Sequence, residues 1–133
     1  MTCEFFLYTF YMFSPMIPHI QKGSFVIMDL YDTFFKNESC QFTDLRGFIQ
    51  LYKHVNGQLL FLTQHKSKKE IRDKFTCLGL DSKRFKILYT SEPKGVFLKK
   101  WGYPKKTVFI DNSKRQINSV RKHCQDIQCF LFQ

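Results

Sequence analysis

The stretch Phe25-Val26-Ile27-Met28, followed at once by Asp29-Leu30-Tyr31-Asp32-Thr33, constrains this chain more than any other. Four consecutive apolar residues with two β-branched members read as a strand buried on both faces, which puts Asp29 at its carboxyl end. In an open α/β sheet that edge is where ligands bind. The pattern returns at Thr107-Val108-Phe109-Ile110-Asp111-Asn112, and the apolar run Leu59-Leu60-Phe61-Leu62 ends in the hydroxyl of Thr63. Lys94 follows the turn-rich boundary Ser91-Glu92-Pro93. Two carboxylates, a hydroxyl and a lysine at successive strand ends form a constellation suited to a metal ion and a phosphate group.

Helical spacing fills the intervals. Thr43-Asp44 is expected to cap a helix bearing Leu45, Phe48, Ile49, Tyr52 and Val55, stopped by Asn56-Gly57. Ser67 and Glu70 form a capping box for a second helix with Ile71, Phe75 and Leu78 inward and Gly79 at its end. After a short strand over residues 86–89, a third helix is expected to carry Val96, Phe97 and Trp101 and to stop near Gly102. Asn112 or Ser113 caps a fourth helix with Ile117, Val120 and Cys124 on one face, and residues 127–132 make a last strand. Strands alternating with helices of about ten residues imply βαβ crossovers, hence an α/β domain of three layers with a mainly parallel sheet of five strands.

At 133 residues the chain has room for one domain. It divides into an apolar, aromatic amino-terminal arm over residues 1–20 and a core over 21–133. The arm's run from Glu4 to Phe13 is about half of what a bilayer span needs, and it lacks a basic start or a small-residue cleavage site. It reads as a strand or short helix packed on the domain, or as the remnant of a longer parent of which this chain is a truncated copy. A net charge of +10 favours anionic ligands, nucleic acid among them, but no nucleic-acid motif accompanies it and the basic residues are spread out, with one small cluster at Lys66, Lys68 and Lys69. Five cysteines, odd in number and without a C-x-x-C pair, suggest free thiols in a reducing, cytoplasmic compartment. His123, Cys124 and Cys129 lack the paired knuckles of structural zinc.

The order Asp29-x-x-x-Thr33, Thr63, Lys94 and Asp111-Asn112, each after its apolar run, resembles the four motifs of the haloacid dehalogenase-like superfamily over about the last 110 residues. Lys94-Gly95-Val96-Phe97-Leu98 and the later FIDNSKRQINSV are also similar to an uncharacterised, mainly bacterial branch with the motifs KG-x-x-L and FIDD-x-x-x-x-x-x-SV. The resemblance implies a Rossmann-like sheet in which the strands bearing Asp29 and Asp111 are neighbours. It also implies a magnesium-dependent phosphohydrolase. Asp29 would be the nucleophile; Thr33, Thr63 and Lys94 would bind phosphate; Asp29, Asp111, Asn112 and the Tyr31 carbonyl would surround Mg2+ directly or through water. The intervals between motifs hold no cap domain, which points to a bulky phosphorylated substrate or to enclosure by another subunit in a homo-oligomer.

Tyr31 departs from the pattern. Phosphatases of this superfamily usually place a second Asp there as acid and base, and a phenol with an ordinary pKa of about 10 moves that proton poorly at neutral pH. Asp32 could substitute only if the loop leaves strand geometry. Asn112, where the similar branch has Asp, removes a second charge. Three readings follow: a weak or specialised phosphohydrolase, a catalytically retired module that binds phosphate or a protein, and, third, a dehalogenase, whose first motif tolerates Tyr at this place.

Overall fold

A computed structural model describes residues 9–64 and 67–133. Six strands form one fully parallel sheet: β1 (Thr9–Phe10), β2 (Phe25–Met28), β3 (Leu59–Thr63), β4 (Ile87–Tyr89), β5 (Thr107–Asp111) and β6 (Gln128–Phe132), in the order β1-β6-β5-β2-β3-β4. Four helices cross between them: α1 (Leu45–His54), α2 (Lys68–Cys77), α3 (Lys94–Trp101) and α4 (Lys114–His123). β3 and β5 are buried at every position, as strands sandwiched between two helical layers must be. The strand order reverses between β2 and β5, which are hydrogen-bonded neighbours with Met28 opposite Ile110, so the crevice at their carboxyl ends is the topological switch point.

The sheet has a sixth strand beyond the five expected. Thr9–Phe10 adds to β6 in parallel register, and the turn that follows, Ser14–His19, buries Phe13 and Met16 completely in the core. The described part of the aromatic arm is thus structural, and Phe13 stacks on Phe132 with ring centres 4.6 Å apart. The arm's first eight residues, Cys3 among them, and Lys66 of the small basic cluster lie outside the described residues. No described helix is long and apolar enough to cross a membrane.

Two cores flank the sheet. One joins α1, α2 and the Ser14–His19 turn through Phe13, Phe34, Phe35, Phe48, Phe61 and Phe75; the other joins α3 and α4 through Leu98, Phe109, Ile117 and Val120. The caps form as expected at Asp44, Ser67 and Ser113, and Asn56 and Gly57 both take positive φ at the end of α1. On α1, however, Leu45 and Ile49 remain 41% and 43% exposed while Leu51 is buried. The helix turns its Phe48-Leu51-Val55 stripe to the sheet. The last turns of α1, α3 and α4 carry Lys53 and His54, Lys99 and Lys100, and Arg121, Lys122 and His123. Part of the chain's positive charge therefore complements helix dipoles.

On α3 the buried residues are Lys94, Gly95 and Leu98, whereas Phe97 and Trp101 are only half-buried. Gly95 explains the shift in face: a Cβ there would stand 2.1 Å from the Ser119 carbonyl oxygen of α4, and its amide donates to Ser119 Oγ at 3.0 Å. The contact needs a residue without a side chain, so hydrophobic spacing does not reveal it. Gly95→Ala should force the two helices apart, costing about 3 kcal/mol and lowering Tm by roughly 10 °C; thermal unfolding followed by circular dichroism checks this, and an unchanged Tm would refute the close approach.

Cys40 and Cys77 form a disulfide, contrary to the expectation of free thiols. The two are 37 residues apart in sequence, a spacing with no local signature, and in a chain-entropy account closing such a loop contributes about 4 kcal/mol. Cys124 and Cys129 are free.

Candidate functional site

Asp29, Lys94 and Asp111 meet at the switch point. Strand β2 ends immediately before Asp29, β5 ends on Asp111, and the first residue of α3 is Lys94. They are 8%, 2% and 1% exposed. The Lys94 ammonium donates to Asp29 Oδ1 at 2.6 Å and to Asp111 Oδ2 at 2.7 Å. Burial by itself would lower the lysine pKa, but the two carboxylates reverse this and hold it above its usual value. Asp111 is pushed well above the ordinary carboxylate range, first by burial and then by the charge of Asp29, against the opposing pull of Lys94. Two carboxylates facing one ammonium leave an excess negative charge in a dry place.

The outer oxygens are also engaged. Thr33 Oγ1 donates to Asp29 Oδ2 at 3.1 Å, and the Ser113 amide donates to Asp111 Oδ1 at 3.0 Å. The Asn112 side-chain amide, with its nitrogen inward, lies 2.9 Å from Asp29 Oδ2 and 3.2 Å from Asp111 Oδ1. The Asn112 backbone N–H in turn donates to Thr33 Oγ1 at 3.1 Å.

A cavity of about 480 Å3 opens over this network, lined by Asp29, Thr63, Lys94, Asp111 and Asn112 together with Tyr31 and Asp32. Thr63 is buried at the end of β3. Thr33, expected among the phosphate ligands, does not line the cavity: its hydroxyl is buried beneath it, tying Asp29 to Asn112. Tyr31 lies against Phe35, ring centres 4.9 Å apart, and burial followed by the charge of Glu70 pushes its phenol up to about 12. Asp32 has left strand geometry, with φ at 58°, and its Oδ1 accepts from the Asn37 amide at 2.9 Å. It therefore stands at the cavity rim rather than on the opposite side of the strand.

Sequence reasoning missed a relay of glutamines. The Lys94 backbone N–H donates to Gln116 Oε1 at 2.9 Å, Gln116 Nε2 donates to Gln64 Oε1 at 2.7 Å, and Gln64 Nε2 donates to the Glu92 carbonyl at 2.7 Å. The relay registers the start of α3 against α4 and β3, fixing where the lysine stands. Its signal was a polar residue on the buried face of α4, Gln116 beside Ile117 and Val120. Arg115, also unforeseen, lines the cavity.

Among the described residues no three His, Cys, Asp or Glu side chains cluster as a metal site. The donor set here is the two carboxylates of Asp29 and Asp111, with the Asn112 side chain beside both. Magnesium usually takes one or two carboxylates and fills its octahedron with water and substrate phosphate, so the residues fit that ion, and the unbalanced charge is the kind a divalent cation neutralises. In comparisons with known proteins, no family model, curated protein or solved structure matches this chain.

Proposed function

We propose that this protein is a magnesium-dependent phosphohydrolase of the haloacid dehalogenase-like type, with weak or specialised activity. The supporting observation is the buried Asp29–Lys94–Asp111 cluster beneath a polar cavity at the switch point of a parallel sheet. In this reading Asp29 attacks phosphorus and becomes an aspartyl-phosphate, while the ester oxygen departs. Lys94 balances charge on the nucleophile and on the phosphoryl oxygens, and Thr63 hydrogen-bonds one of them. Thr33 and the glutamine relay hold Asp29 and Lys94 in place. Asp29, Asp111, Asn112 and the Tyr31 carbonyl would hold the magnesium ion, which supplies charge neutralisation on the phosphate. A phenol pushed up to about 12 is a poor proton donor and a worse base in neutral solution. The substrates best served are phosphoesters with good leaving groups, and the short intervals from Thr33 to Thr63 and from Thr63 to Lys94, too short to insert a cap, suit bulky ones.

The test is magnesium-dependent release of p-nitrophenol from its phosphate ester. Asp29→Asn is expected to lose at least about 100-fold in kcat with little change in fold; full activity in that variant would remove Asp29 from the chemistry.

A second reading has its own observation. Lys94, Thr33, Ser113 and Asn112 together supply a protein partner to every oxygen of both carboxylates, a self-satisfied network of the kind a binding module would retain after losing catalysis. Phosphate binding without turnover favours it. Dehalogenation ranks third, since it would leave the magnesium-suited Asp111 without a task.

A further inference from the structure

Residues 31–43 form a flap at the cavity mouth. Tyr31 bridges to Phe35, Phe35 pairs antiparallel with Phe42, and the Lys36 amide donates to the Gln41 carbonyl. Phe34 and Phe35 root the flap in the core. Beyond them, Lys36 to Gln41 is polar, apart from Cys40, and largely exposed. Asp32 and Asn37 line the Asp29 cavity on one side and, on the other, a second cavity of about 720 Å3 that Lys36 and Tyr11 also border. The flap is the wall between them.

Helix α2 holds this wall upright. Cys40 is bonded to Cys77 in its last turn, with Cα atoms 6.0 Å apart. One turn earlier, Lys74 donates to the carbonyls of Asn37 at 3.1 Å and Ser39 at 2.6 Å. Both bonded cysteines are exposed to solvent, whereas the free thiols Cys124 and Cys129 are buried or half-buried. An exposed disulfide is open to attack by a thiolate and is reduced more readily than a shielded one. Without it, the hold on residues 36–41 comes down to their own turn, the Asn37 amide bonded to Asp32 Oδ1, and two hydrogen bonds from the half-buried Lys74.

We propose that the Cys40–Cys77 disulfide is a reducible clasp that sets access to the Asp29 cavity. When it is closed, the flap separates the two cavities. When a dithiol reductant opens it, the S–S bond breaks, the reductant gives up two electrons and two protons, two S–H groups form, and the reductant leaves as its own disulfide. The released flap then lets the cavities act as one groove that accepts a larger phosphoester. The release stands on its own; its effect on turnover rests on the phosphohydrolase reading.

Hydrogen exchange of the full chain, before and after reduction with dithiothreitol, tests the release. Amides of residues 36–43 are expected to exchange at least about tenfold faster after reduction, while β2 and β5 stay unchanged, and a Cys40→Ser/Cys77→Ser double variant should match the reduced state without reductant. Unchanged exchange in the flap overturns the clasp, as does an equal rise across the sheet, which would mark a bond that merely stabilises the whole fold. A second arm compares turnover of a phosphorylated peptide with that of p-nitrophenyl phosphate. The ratio should rise about threefold or more on reduction, and a constant ratio overturns control of access. No turnover of either ester in either redox state defeats the phosphohydrolase reading instead, and leaves the exchange result to decide the release.

Discussion

Lys94→Met is expected to destabilise the fold by about 3–5 kcal/mol at pH 8 without divalent ions, because it leaves two buried carboxylates facing each other with no cation between them. Urea unfolding of the variant and the parent measures the difference. Its pH dependence has a definite sign. Asp111 already sits above the ordinary carboxylate range through burial and then the charge of Asp29, with Lys94 pulling the other way, so removing the ammonium raises it further. A carboxyl whose pKa is raised on folding holds its proton more tightly folded than unfolded. Stability then falls as the pH climbs above the unfolded value of about 4. The deficit should be largest near pH 8 and should shrink as the pH approaches 4. A variant as stable as its parent at pH 8 would mean that the lysine does not balance the pair.

Tyr31→Asp is expected to raise turnover of p-nitrophenyl phosphate by about 100- to 10,000-fold, the usual value of a positioned acid and base. The position suits the exchange. The phenol there is raised by burial and by the neighbouring charge of Glu70, and the same surroundings would keep a new carboxyl partly protonated closer to neutral pH. The substitution gives up the ring contact with Phe35, a loss of about 1 kcal/mol. Steady-state kinetics in magnesium decide the matter. A folded variant that binds phosphate and still does not cleave the ester favours the binding-module reading, since restoring the missing proton shuttle would then have restored nothing.

The strands that carry the site were legible because each is an apolar run ended by a polar residue at a sheet edge, and burial on both faces leaves few other ways to place such a run. Asp29, Thr63, Lys94 and Asp111 accordingly line one cavity. What escaped has physical reasons of equal interest. β1 is only two residues, Thr9 and Phe10, inside a short stretch of mostly apolar and aromatic residues, so no period marks it. Cys40 and Cys77 meet through tertiary structure alone. Leu45 and Ile49 fit the helical spacing as well as Leu51 does, and only the sheet beneath α1 chooses among them. Thr33 sits four residues beyond Asp29 as the resemblance requires, yet the chain turns back so tightly, with the amides of Thr33, Phe34 and Phe35 all donating to the Leu30 carbonyl, that its hydroxyl points under the cavity.

The pairing of β1 with β6 sets an order of events during synthesis. Thr9 finds its sheet partner at Leu131, and the Gln133 amide closes onto the Phe10 carbonyl. As the chain leaves the ribosome, the rest of the sheet can begin to assemble while Phe13, stacked in the finished fold on Phe132, waits for its cover. Contacts of such long sequence separation form late, and an apolar segment kept waiting is one that chaperones bind and that drives association of unfinished chains. A nascent chain stalled before β6 should therefore be sticky at its amino-terminal end, however well the strands around Asp29 have already formed.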